Sequence, residues 1–115
     1  PQDKTVLFIG PQASEKNVKS AQLEQYRRIH FATHVLIDEK LPARSCIALS
    51  QPNGSNEDGF LRLNEIFALH LNADLVTLSG CQSAKGKLTR AEGVLGLTRA
   101  FFYAGARSLL VSQWQ

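Results

Sequence analysis

The chain has 115 residues, which suits one domain and is short for two. Its hydrophobic fraction of 43% can supply a core, and its net charge of +3 is spread without a Lys/Arg run, which argues against a direct nucleic-acid partner. No apolar run approaches the roughly 20 residues of a membrane span, and the N-terminus lacks the charged–apolar–small order of a signal peptide, so no membrane partner is expected.

Two cysteines, Cys46 and Cys81, are too few for a disulfide framework, so a reducing, cytoplasmic setting is expected. The chain opens on Pro1 rather than Met and stops one residue after Trp114. We therefore expect an excised segment, with residues 1–115 forming a single domain truncated at its C-terminal end.

Taken in order, Thr5-Val6-Leu7-Phe8-Ile9 reads as a central strand buried on both faces, stopped by Gly10-Pro11. Ser14 is placed to cap an amphipathic helix over residues 15–25, with Glu15 at the positive end of its dipole. A second strand over residues 28–33 then follows, and a connection of this length favours a parallel pair with a right-handed crossover. Residues 35–44 read as a loop and residues 45–50 as a third strand. Residues 51–59, rich in Asn, Gly and Ser, are the most turn-like part of the chain. Residues 60–63 could pair back as a short strand, and Asn64 is a candidate cap for a helix over 65–70 with Ile66, Phe67 and Leu69 facing inward.

Residues 74–79 form an apolar strand that runs into a Gly80-Cys81 turn. A loop over 81–92 carries Lys85, Lys87 and Arg90, and a helix over 92–104 follows, stopped by Gly105 in a left-handed conformation. Residues 108–112 are the last strand. About five strands alternating with three helices predict an α/β fold, a mostly parallel sheet with helices on both faces.

Chemistry concentrates at one strand end. In an open α/β sheet, ligands and catalytic groups gather at the C-terminal ends of strands, and Cys81 lies there beside Gly80. A lone cysteine is ordinarily structural, and Cys46, in mid-strand, fits that description. His30 and His70 fit packing or surface positions, whereas His34 follows a strand terminus. A Cys–His pair is chemically coherent, because the thiolate is the nucleophile and an imidazole can lower its pKa and protonate a leaving amine. Cys46, Cys81, His30 and His34 lack the spacing of a zinc site, and Gly93-x-x-Gly96 is no phosphate loop, so neither a metal nor a cofactor is expected.

The segments Ile29-His30-Phe31-Ala32-Thr33-His34, Leu78-Ser79-Gly80-Cys81-Gln82-Ser83, Glu92-Gly93-Val94-Leu95-Gly96-Leu97, Phe101 to Ser108 and Ser112-Gln113-Trp114 together resemble the CHAT domain. That is a caspase-like domain often found beside tetratricopeptide repeats and related to caspases and separases. The 47 positions from His34 to Cys81 also suit the caspase pattern of a His about 50 residues before the Cys.

The resemblance implies a caspase–hemoglobinase fold and a cysteine endopeptidase acting on a protein or peptide substrate. It gives Cys81 as nucleophile, His34 as general acid/base, and Val35, Gly80 and the Cys81 amide as positions for an oxyanion hole. It also implies control by tetratricopeptide-repeat or other regulatory modules. Members of the family usually carry Gly after the histidine, where this chain has Val35, and that departure supports an alternative: an inactive caspase-like interaction module. Asp38, Glu39, Glu57 and Asp58 are candidates for a pocket receiving a basic residue, set against a solvated-loop role.

Overall fold

The computed structural model describes residues 6–37, 41, 44–51, 58–82 and 87–114, with side chains outside 81–82, 87–92 and 113–114. Helix α1 is Glu15–Ser20, shorter than predicted, and a 3-10 turn over Leu23–Gln25 follows it. Its start obeys the sequence rule: the Ser14 hydroxyl accepts from the Asn17 amide at 3.2 Å, and Glu15 sits in the first turn.

Strands β1 (Arg28–Phe31) and β2 (Val35–Leu36) follow, then β3 (Cys46–Ala48) and β4 (Phe60–Arg62). Helix α2 (Leu63–Phe67), strand β5 (Leu75–Gln82), helix α3 (Lys87–Ala104) and strand β6 (Leu109–Trp114) complete the order.

Among the described residues the six strands belong to one sheet, and β5 is its axis. Along one edge β5 pairs in parallel first with β1 (Phe31 opposite Leu78) and then with β2 (Val35 opposite Cys81). Along the other edge it pairs in parallel with β6. Strands β3 and β4 extend the sheet beyond β2 by antiparallel pairing, so the sheet is mixed, with its parallel part around β5.

One apolar cluster holds the layers together. Val76 and Leu78 of β5, Val35, Ile47 and Leu61 of the neighbouring strands, Leu63 and Ile66 of α2, and Leu97, Ala100 and Phe101 of α3 are all buried in it. The Phe101 ring lies 6.0 Å from that of Phe31. The opposite sheet face is exposed at His30, Leu36, Phe60 and Leu110, so among the described residues helices do not cover both faces.

Several expectations are corrected. Val6, Leu7, Phe8 and Ile9 lie outside every strand and are exposed, and Thr5 lies outside the described residues. A short apolar run carries no periodicity of its own, and a strand exists only where a ladder partner does. The run leads instead into a 3-10 turn at Gly10, whose φ is +57°. The parallel partner of β1 is accordingly β5, 47 positions away, rather than a neighbour in sequence.

Residues 35–36, read as loop, form β2, because a two-residue strand is below the reach of periodicity. Helix α2 starts one residue before Asn64: Glu65 accepts from the Arg62 amide at 3.0 Å, which sets the helix origin at Arg62. Phe67 is exposed and packs edge-on against Tyr103, with ring centroids 5.3 Å apart. Helix α3 begins at Lys87, inside the predicted loop; Lys85 lies outside the described residues.

Its end is as predicted. Gly105 has φ +123°, and a Cβ there would stand 2.0 Å from the Leu71 carbonyl oxygen, so both backbone geometry and space demand glycine.

Candidate active site

Gly80 and Cys81 do not form a turn. They lie within β5, which runs on to Gln82. Their surroundings are nevertheless irregular. From Phe31 to Val35 is four steps and from Leu78 to Cys81 is three, so the β1–β2 edge carries one residue more than β5 over this interval. On the β6 side the mismatch is reversed, with a register shift between Leu78 and Cys81. Irregularities of this kind re-aim a strand and recur beside active sites.

The extra residue lies in the stretch Ala32-Thr33-His34, which is where the sequence places its histidine. His34 is exposed and immediately precedes Val35, the ladder partner of Cys81. The backbone of the two segments is in direct contact. A Cβ on Gly80 would fall 1.7 Å from the Thr33 carbonyl oxygen and 3.1 Å from the His34 nitrogen. Gly80 is therefore glycine because the Thr33–His34 peptide occupies the place of a side chain; its φ is not left-handed.

The same segment is tied from its other side. The Ala48 amide donates to the His34 carbonyl at 2.9 Å, and the Thr33 hydroxyl donates to the Ala48 carbonyl. Val35 is fully buried, paired with Ile47 on one side and Cys81 on the other, in an ordinary extended backbone.

The model matching the chain over residues 1–115 describes the CHAT domain. The chain belongs to the CHAT family. Two curated relatives are tetratricopeptide repeat protein 28 of Mus musculus, 32% identical, and of Homo sapiens, 31% identical. In both cases the match covers 93% of this chain and 6% of the relative, so the chain spans a small part of those proteins. No solved structure matches it. CHAT domains are caspase-like, and their association with tetratricopeptide repeats is seen in the names of both relatives.

Of the residues singled out in this CHAT chain, Gly80, Cys81, His34 and Val35 lie on adjoining segments of backbone. Cys46 is buried in β3, and His70 is exposed. Asp58 is committed elsewhere: it accepts from the Phe60 amide at 2.9 Å and pairs with Arg62 at 3.0 Å. The Phe60 bond first, against the opposing effect of burial, and the Arg62 pair with it hold this carboxyl below its ordinary range. Asp38, Glu39 and Glu57 lie outside the described residues.

One contact at the site passed unseen in the sequence. His30 Nε2 lies 2.9 Å from the Ser79 hydroxyl, across the β1–β5 pair and two residues before Cys81. The alternation of β1 places His30 on the open face, but only the register with β5 identifies its neighbour.

Proposed function

We propose that this CHAT domain is a cysteine endopeptidase in which Cys81 is the nucleophile and His34 the general acid/base. The observation that supports this reading most is the ladder register of Val35 with Cys81, since His34 is the residue before Val35. Thiolate attack on a peptide carbonyl forms the C–S bond and an oxyanion, which nearby backbone amides would stabilise. Candidates for that role are the amides of Gly80, Cys81 and Val35. Collapse breaks the C–N bond as protonated His34 gives its proton to the departing amine. His34 then takes a proton from water, which attacks the thioester and releases the acid and the thiolate.

On this reading the protein acts on a protein partner in the cytoplasm, and its control by helical-repeat modules is supported by the names of the relatives. Cys81→Ala, made in the full-length protein, is expected to abolish cleavage of a co-expressed partner protein while leaving the unfolding temperature within a few degrees. Persisting cleavage by that variant rejects the assignment.

A second reading has its own observation. Val35 stands where family members usually have glycine, and its backbone is paired on both sides. A CHAT domain without turnover would serve as an interaction module. Alkylation of Cys81 by iodoacetamide separates the two: a rate well above that of a free cysteine peptide, lost in His34→Ala, supports the peptidase, and a rate equal to the peptide supports the module.

A further inference from the structure

We propose that His30 is a positioning residue for Cys81, acting through its hydrogen bond to Ser79. The inference rests on the Cys81–His34 reading above and adds a residue to it. Ladder hydrogen bonds on both edges of a strand fix its residues relative to its neighbours. Between Leu78 and Cys81 both ladders of β5 are out of step, one with an extra residue on the β1–β2 side and the other with an extra residue on β5 itself. Ser79 and Gly80 occupy that interval.

Other contacts take over. Gly80 rests on the Thr33–His34 peptide, which sets how closely β5 approaches the histidine segment. The Thr33 hydroxyl and the Ala48 amide hold that segment against β3. The His30–Ser79 bond, at 2.9 Å, ties the irregular part of β5 to the last regular part of β1. His30 pairs with Thr77 in the ladder, so its ring reaches forward along β5 across the point where regular pairing stops. A serine hydroxyl both donates and accepts, so the tie survives either protonation state of the imidazole. His30 thereby fixes the lateral position of the backbone that leads into Cys81, and touches no reacting atom.

The test uses the full-length protein, iodoacetamide as the probe, and mass mapping of the two cysteine peptides. Thiolate attack on the probe forms an S–C bond, expels iodide and leaves the thiol proton with the buffer. Cys46, buried in β3, reports on the fold in the same sample. In His30→Ala and in Ser79→Ala, Cys81 alkylation at pH 7 is expected to fall by about tenfold, the scale of one ordinary hydrogen bond, while Cys46 stays protected. The pH midpoint of Cys81 alkylation is expected to rise in both variants. The double variant should fall no further than either single one, and Ser79→Thr, which keeps the hydroxyl, should restore the rate.

Unchanged Cys81 alkylation in both single variants overturns the inference, and so does a double variant whose losses multiply. Loss of Cys46 protection in step with the Cys81 change also overturns it, because that marks a structural role. His34→Ala is read alongside: if it leaves Cys81 alkylation unchanged, the dyad itself fails and takes the inference with it. If it slows alkylation while His30→Ala does not, only the inference fails.

Discussion

Gly80 shows how much a single missing side chain decides. A methyl group at that position would stand 1.7 Å from the Thr33 carbonyl oxygen, a distance no rotamer change can relieve because the backbone fixes both positions. Gly80→Ala must push β5 away from the histidine segment. We expect a loss of about 2–3 kcal/mol, the upper part of the range for overpacked sites, read from urea unfolding. Cys81 alkylation should fall further than the stability loss implies, since the displacement lies between the two proposed catalytic residues. At Gly105 the same substitution meets both a left-handed φ and the Leu71 carbonyl, and is expected to lower the unfolding temperature without altering Cys81 reactivity in the folded protein. The sequence marked both glycines, but assigned Gly80 to a turn. Turn chemistry and close backbone approach use the same residue, and only the neighbour tells them apart.

At the scale of elements, α1 is held to α2 and to Gly59, the residue before β4, by charge and hydrogen bonding rather than by a broad apolar stripe. Glu15 is buried, its Oε1 accepts from the Gly59 amide at 3.2 Å, and its Oε2 lies 2.9 Å from Lys19 Nζ, which also binds Glu65. Burial, helped by the hydrogen bond with Glu65 and opposed by Lys19, pushes the Glu15 carboxyl up to about 7. Glu65 moves the other way: burial raises it, but bonds from Glu15, Lys19 and the Arg62 amide outweigh that and leave it below the ordinary value.

A raised carboxyl stabilises the fold fully below its unfolded value of 4.5 and loses that contribution as pH rises through about 7. A lowered one contributes above its ordinary value and loses it as pH falls. From this pair, stability should therefore be highest near pH 4.5, fall between about 4.5 and 7 and level off above 7, and Glu15→Gln should flatten the fall, measured by urea unfolding across that range. Ser14→Ala, which removes the α1 cap, should cost about 1 kcal/mol at any pH. The Ser14 cap and the Glu15 dipole position were legible in sequence. The carboxyl pair was not, because Glu15 and Glu65 are 50 positions apart and neither looks unusual alone.

For the whole molecule, one cluster of buried side chains joins the sheet to α2 and α3, so damage to it should be global. Phe101→Ala removes a fully buried ring that meets Phe31, and is expected to cost about 3–5 kcal/mol and to unfold both cysteine sites in one transition. Exposure of Cys46 and Cys81 at the same urea concentration would show it. Among the described residues no helix is long and apolar enough to cross a membrane.

What the sequence determined by itself was local: the Ser14 cap, the Gly105 stop, the apolar strand before Cys81, the pairing of β4 back on β3, and the motifs that assign the chain to the CHAT family. Each of these is carried by short stretches of residues, read one at a time or in their order along the chain. The tertiary structure decided which strands meet. It brought the segment around His34 against Gly80 and Cys81 across 47 positions, gave His30 its serine, and left Val6–Ile9 without a ladder partner. A strand's partner is chosen by the packing of every layer at once, and no short window of residues contains that information.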